Sequence, residues 1–241
     1  MKTFNWNNEN VIGFTTTKSL GNMAFQVTNN PDEVLNNRKT LKELLNLELD
    51  HIVFTYQSHS DITLEVTKDD ISKGTYSFES GVPADSLYTK DKDLAIGVFH
   101  ADCVPIFLYH ASGLVGIIHA GFIGTLKHIA YKSIKYIVNK ENINPNEFKA
   151  YIGPCRKLHS YEINDEEKQL IIQSDASNFI LEKDDVIKFD MPSSNILDLI
   201  KAGIPLENIE NSNIDTVTTE ECFSAYKKTP VGRMVSIIKL K

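Results

Sequence analysis

Three side chains of the 241-residue chain have the chemistry to share one metal ion: His59, Cys103 and His119. A thiolate and two neutral imidazoles offer the sulfur and nitrogen donors that zinc prefers. Three protein ligands leave a fourth position open for water or substrate. The three lie in the segments YQSHSD, HADCVP and IIHAGFIGT. Each segment is a turn of small or polar residues at the end of an apolar, strand-like run, where a rigid scaffold displays reactive groups. The separations are long and match no CxxC or HExxH pattern. Taken singly, each histidine also reads as a surface or hydrogen-bonded residue, and Cys103 as a small buried hydrophobe.

The neighbours of these residues carry two readings each. Asp102 stands beside Cys103, either to orient an imidazole or move a proton, or as a turn carboxylate bonding nearby backbone N–H groups. Gly121 and Gly124 lie between a strand and a helix start. Free N–H groups there would hold a phosphate or other anion; the alternative is a tight turn with no room for a Cβ. His100 is a candidate for the pocket wall, and His159 and Cys155 for a loop near it. His51, His110, His128 and Cys222 read as structural or surface residues.

Elements that would position these groups follow from periodicity. Val11–Thr16, His51–Tyr56, Ile62–Val66, Leu94–Phe99, Ile106–Tyr109, Gly113–Ile118, Phe148–Ile152, Val186–Asp190 and Arg233–Leu240 read as strands. Pro105 cannot donate a ladder hydrogen bond, so the ladder is expected to break near Cys103. Asn30 caps a helix with Pro31 at its first position and Glu33 at its third. Further helices are expected from Thr125 to Asn139, from the acidic residues Asp165–Glu167 onward, and from Ser193 to Ala202 with Gly203 as its stop. No repeat or linker divides the chain. A single α/β domain over 1–241 with mixed sheets is expected, since strands and helices alternate without a clean βαβ rhythm.

The balance of charge is −7. Such a chain is not built to grip a phosphate backbone over a large surface, which argues against nucleic acid as a partner. Arginine is scarce, at Arg38, Arg156 and Arg233 only. No apolar run approaches the roughly 18 residues of a membrane span, and the N-terminus has no signal core. An odd, low cysteine count points to a reducing cytoplasm without disulfides.

The same segments carry a family resemblance. ADCVP resembles the ADCxP motif of the laccase-domain family, first described as multicopper polyphenol oxidases and now as purine nucleoside phosphorylases. HAGFIGT resembles that family's HAGWRGT, QSHSD its QxHG segment, and GPCRKLHSYEI its Gly-Pro to Tyr-Glu-Val stretch. CFSAYKKTPVGRM is similar to its FSYRR…GR signature. Order and spacing agree across nearly the whole chain. The resemblance implies that His59, Cys103 and His119 are the metal ligands. It implies a single α/β domain of layered sheets and helices, similar to certain bacterial cysteine hydrolases. It also implies phosphorolysis of adenosine, inosine and methylthioadenosine, with adenosine deaminase activity. Zinc is the expected metal and copper the alternative. The partners are a purine nucleoside and phosphate, in a monomer or small homo-oligomer.

Zinc with an open position lowers the pKa of a bound water, which suits attack on C6 of adenine. Phosphorolysis instead breaks the N-glycosidic bond and needs an anion site. Here the chain departs from the family pattern: Ile123 stands for the Arg of HAGWRGT and Phe122 for its Trp. Ala225-Tyr226-Lys227-Lys228 stands for Ser-Tyr-Arg-Arg, and His159 and Ser160 fall where some members have cysteines. Isoleucine cannot fork onto phosphate as a guanidinium does. Arg38, Arg156, Lys127 and Arg233 are the other candidates for that task. Three further readings stay open: a copper-dependent phenol oxidase, a metal-free hydrolase with Cys103 as nucleophile and His119 or His59 as base, and a non-catalytic member.

Overall fold

A computed structural model describes residues 2–241. Two sheets lie at its centre. The first runs in the order Thr3–Asn5, Val11–Thr16, Met234–Leu240, Ala95–His100, Ile52–Phe54. The second runs Ile209–Asn211, Phe148–Ile152, Val104–His110, Leu114–Ala120, Ser86–Thr89, Thr63–Glu65. Pairing is mostly antiparallel, with parallel pairs at one edge of the first sheet and both edges of the second. The layered α/β architecture with mixed sheets agrees with the expectation from sequence.

Alternation of side chains assigns the layers. Ile96, Val98, Ile238, Phe107, Val115 and Ile117 point between the sheets and form one core. Their neighbours Ala95, Phe99 and Ile237 point outward under the helix Pro31–Leu45. Ile106, Leu108, Leu114 and Ile118 point to the other side, under the helices Ile129–Glu141 and Met191–Ala202. Strands buried on both faces read as continuous apolar runs, which explains their legibility. Among the described residues no helix is long and apolar enough to cross a membrane.

Local chemistry sets the helix boundaries. Asn30 accepts from the Glu33 N–H with Pro31 at the first position. Asn164 and Glu167 make a reciprocal capping box before Asp165–Gln173. Gly203 ends Met191–Ala202 at φ 111°. The single helix expected from Thr125 to Asn139 is in fact two. Phe122–Leu126 stops at Lys127, and Ile129–Glu141 restarts after His128, whose φ is 60°. His128 Nδ1 bonds the Asp198 carboxylate at 3.0 Å, a tertiary contact that periodicity does not show.

Pro105 does not break the ladder as expected. It lies inside Val104–His110, opposite His119, and its carbonyl accepts from Gly153 N–H at 2.9 Å. The break at 101–103 has another cause, since there the chain passes from the first sheet to the second. Cys103 rides on that crossover.

Arg38 also departs from expectation. Its side chain is buried in the outer core: Nε donates to Met23 O at 2.8 Å, and Nη1 to Gly74 O at 2.6 Å and Thr75 O at 2.8 Å. The guanidinium lies 4.4 to 4.7 Å from the ring centres of Phe25, Phe54 and Phe99. Burial draws its pKa down to about 9, which leaves it a cation at neutral pH. It fastens the loops 23–25 and 74–75 to the helix and has no free face for phosphate. Replacing it by methionine strands those carbonyls. Arg38→Met is expected to lower the unfolding free energy by about 3 kcal/mol, read from the urea midpoint. A variant as stable as the parent would remove this structural role.

Candidate active site

The two sheets deliver the three donors to one place. His59 follows the strand Ile52–Phe54, Cys103 sits on the crossover, and His119 lies near the end of Leu114–Ala120. Their donor atoms lie within 4.8 Å of one another. Across a tetrahedral zinc with ordinary bond lengths, donors stand about 3.5 Å apart, so small rotations close the set. His59 is exposed, Cys103 half-buried and His119 buried. The set is open on the His59 side, and the residues fit a metal with a free coordination position.

Asp85, which sequence reasoning missed, organises this cluster. It precedes the strand Ser86–Thr89, which pairs with Leu114–Ala120 so that Ser86 faces Ile118. That register puts Asp85 beside His119, whose N–H donates to Asp85 O at 2.7 Å. His119 Nδ1–H donates to the Asp85 carboxylate at 2.8 Å, which leaves Nε2 with its lone pair for a metal. The same carboxylate accepts from the backbone N–H groups of Ser58 (3.2 Å), His59 (3.2 Å) and Ser60 (2.7 Å), and from Ser60 Oγ (2.7 Å). One buried anion thus holds two of the three candidate donors, one by its ring and one by its loop. Burial would raise the Asp85 pKa, but His119 and the Ser60 donors outweigh it and hold it below the usual carboxylate value.

Gly121 has a steric reason. A Cβ there would lie 2.3 Å from His59 Nδ1 and 3.3 Å from His119 Cε1, so the glycine is what lets both rings approach. The anion reading of Gly121 gains nothing from the helix it starts, which is only Phe122–Leu126. A Cβ on Gly124 would meet Ser60 O at 3.3 Å, a tight but milder contact. His59 itself adopts φ 57°, which its loop sustains through the three N–H bonds to Asp85.

Asp102 orients no imidazole. Its carboxylate accepts from Thr216 Oγ1 at 2.6 Å, Ser224 Oγ at 3.1 Å and Tyr226 N–H at 2.8 Å. Its carbonyl accepts from Arg156 N–H at 2.9 Å. At φ 87° its backbone is strained, and these bonds over-determine it. Asp102 therefore fixes the crossover that carries Cys103; the imidazole-orienting role belongs to Asp85.

A cleft of about 440 Å³ opens over the cluster. Gln57, Phe78, Phe99, His100 and Arg233 line it with the three donors, and Gln26, Ala101 and Ala225 complete the wall. The volume is in the range of small-molecule sites. Gln57 is pinned by both ends of its amide to the Phe99 backbone, at 2.8 and 2.6 Å. Arg233 is the one guanidinium in the lining. Arg156 lies outside it, with Nε on Ser160 O at 2.6 Å and its guanidinium 4.4 Å from the Tyr161 ring and 4.0 Å from that of Tyr226. Lys127 and Ile123 are not in the lining either. His100 is in the lining, as expected; His159 instead pairs with Asp215 at 2.6 Å, and Cys155 is buried with its pKa pushed up to about 11. Cys222 packs against Ala101, Phe223 and Met234, a structural role.

The metal-free electrostatics are asymmetric. Burial opposes charge on His119, yet its contacts with Cys103 and Asp85 raise its pKa to about 9. His59 is held below the ordinary value by burial and by repulsion from His119. Burial, with His119 and Arg233 nearby, drives His100 down to about 3, so its ring is neutral.

The family described as multi-copper polyphenol oxidoreductase laccase matches residues 13–241. The chain belongs to this family. A relative in Bacillus subtilis (strain 168), named purine nucleoside phosphorylase YlmD, is 31% identical over 255 residues, covering 98% of this chain and 91% of the relative. One from Staphylococcus epidermidis, named purine nucleoside phosphorylase SERP0752, is 29% identical, covering 95% and 91%. The crystal structure of YlmD from Geobacillus stearothermophilus superposes with a TM-score of 0.91 at 27% identity over 100% of both chains. That of the hypothetical protein YfiH of Bacillus licheniformis gives 0.90 at 30% identity, over 96% of this chain and 93% of that one.

Two measurements check this account of the family site. Asp85→Asn keeps the shape and loses most of the acceptor capacity, so zinc affinity is expected to fall by about 10- to 100-fold in a chelator competition. Unaltered affinity would remove Asp85 from its organising role. Metal entry must also displace the proton that His119 holds below about pH 9. Affinity should therefore rise about tenfold per pH unit between roughly pH 6 and 8, for one proton released. A flat profile would mean that His119 does not ligate.

Proposed function

We propose that the protein is a zinc-dependent purine nucleoside phosphorylase acting on adenosine, inosine and methylthioadenosine, with adenosine deaminase activity. The observation that carries the reading is the convergence of His59, Cys103 and His119 on the wall of a nucleoside-sized cleft that also holds the Arg233 guanidinium. The names of the relatives point the same way.

In this reading Arg233 receives phosphate. It is the cation in the lining, and its fork suits a dianion as Ile123 does not. Phe78 and Phe99 offer apolar surface to the base and exclude water from it. A phosphate oxygen attacks C1′ of the ribose, the C1′–N9 bond breaks, and its electron pair leaves with the base, which takes up a proton. Ribose 1-phosphate and the free purine result. In deamination, water adds at C6 and ammonia leaves. A zinc ion held by His59, Cys103 and His119 would supply Lewis-acid polarisation of whichever reactant it binds. Asp85 keeps His119 Nε2 directed at that position, and Gly121 lets His59 reach it.

The test is purified protein with adenosine, with and without phosphate, and products identified by mass. Adenine and ribose 1-phosphate should appear only with phosphate; inosine and ammonia should appear without it. Arg233→Met should raise the KM for phosphate by about tenfold or more and leave deamination within about threefold, for loss of one charge-assisted contact. Adenosine consumed without ribose 1-phosphate would sink the phosphorylase reading.

A further inference from the structure

The chain leaves the first sheet at Phe54 and meets Asp85, beside the second, at Ser58–Ser60; one side chain closes the gap left behind. The strand Ile52–Phe54 runs parallel to Ala95–His100, and its last register pair is Phe54 with Gly97. Beyond that pair the chain turns to the loop 73–82. Val82 N–H donates to Phe54 O at 2.9 Å, Tyr56 N–H donates to Val82 O at 2.7 Å, and Thr55 makes an isolated parallel bridge to Val82. Two residues on from Gly97, the N–H and C=O of Phe99 are left with no strand on this side. Phe99 is 2% exposed, so water does not take the vacant place. A buried backbone pair without partners is strongly unfavourable.

The Gln57 amide takes that place. Phe99 N–H donates to its Oε1 at 2.6 Å, and its Nε2–H donates to Phe99 O at 2.8 Å. Thr55 Oγ1 donates to the same Oε1 at 3.0 Å. A carboxamide is a peptide group carried on a side chain, and here it pairs as the backbone of a neighbouring strand would. The site demands one acceptor and one donor at a fixed reach. Ionised glutamate has no donor for the Phe99 carbonyl, methionine has neither group, and asparagine is one methylene short. The amide has one orientation, because the Phe99 N–H must meet an oxygen.

His59 stands two residues further on. The N–H groups of Ser58, His59 and Ser60 bond the Asp85 carboxylate, which precedes the strand Ser86–Thr89 of the second sheet. The segment 57–60 is therefore anchored to both sheets, with at most about 7 Å between the Cα atoms of Gln57 and His59. The His59 ring is exposed and meets that of His119 edge-on, with 5.0 Å between ring centres. Among the described residues neither of its ring nitrogens is hydrogen-bonded. Backbone, more than side-chain packing, sets where this imidazole lies, and Asp85 and Gln57 are the two anchors of that backbone.

We propose that Gln57 is a positioning residue for the metal site. Its amide stands in for a strand residue at Phe99, fixes the point where the chain leaves the first sheet, and so sets where His59 meets Cys103 and His119. The proposal rests on the reading of these three donors as a metal site and is independent of which nucleoside the cleft takes.

The experiment measures zinc affinity, by competition with chelators of graded strength, for the parent, Gln57→Met, His59→Ala and the double variant. Gln57→Met keeps the length of the side chain and loses all three hydrogen bonds. It should weaken zinc binding by about 10- to 100-fold, as loss of a group that orients a ligand does. In His59→Ala the imidazole that Gln57 positions is gone. Adding Gln57→Met to that background should change zinc affinity by less than about twofold, because the two residues act through one donor. Melting temperatures of the metal-free proteins identify a variant that has lost its structure. If Gln57→Met is such a variant, Gln57→Asn, which keeps an amide without the reach, replaces it in both backgrounds with the same expectation. Parent-like zinc affinity in the folded Gln57 variant overturns the proposal. So does a loss that is as large in the His59→Ala background as in the parent, since Gln57 would then act elsewhere than through His59. A parent that binds no zinc, or binds it as well after His59→Ala, overturns the metal reading itself, a result distinct from these two.

Discussion

The Asp85 carboxylate is the constraint on which the site depends. It is fully buried, and a buried carboxylate is costly unless its lone pairs are filled. Its partners are the ring of one candidate metal donor, His119, and the backbone N–H groups around another, His59. The desolvation cost therefore selects a single arrangement. The loop 58–60 must curl over Asp85, and His119 must turn Nδ1 toward it, or the charge is left unpaired. Asp102 repeats the device on the crossover, where three donors fix the backbone ahead of Cys103. Two carboxylates from different segments thus position three donors, and neither is itself one of them.

Sheet register supplies the rest. Ser86–Thr89 lies antiparallel to Leu114–Ala120, although some thirty residues separate them in the chain. A slip of one residue would turn His119 from the face shared with Val115 and Ile117 to the face under the helices, and Asp85 away from it. The apolar residues on both faces of these strands resist that slip, because every one of them would change sides. The packing that stabilises the sheets is therefore also what aims His119 at the cluster.

Much of this was legible in the sequence. Strands such as Val11–Thr16 and Phe148–Ile152 carry their burial in their composition, and Asn30-Pro31 and Gly203 mark helix ends by local chemistry. The residues His59, Cys103 and His119 were identifiable as donors, though their long separations gave no geometric warrant for proximity. What was not legible depends on contacts between distant segments. Asp85 sits in SGVPADSLYT, where nothing local distinguishes it from a turn aspartate. Arg38 reads as a candidate to hold phosphate, and only the carbonyls of Met23, Gly74 and Thr75 explain its burial. Pro105 reads as a strand breaker, and fits because the ladder there uses its carbonyl alone.

The charge of the cleft bears on what it can accept. The protein as a whole carries −7, yet no carboxylate is in the cleft lining. Asp85 lies behind His119 and is compensated by five donors, so its field at the cleft is largely spent on them. Arg233 is the guanidinium of that lining, and a metal-bound Cys103 would supply an opposing thiolate. A divalent ion on the three donors would make the lining net positive, within an otherwise acidic surface. Low-dielectric walls concentrate such a local potential. On the proposed reading, metal loading would therefore favour anion binding in the same cleft.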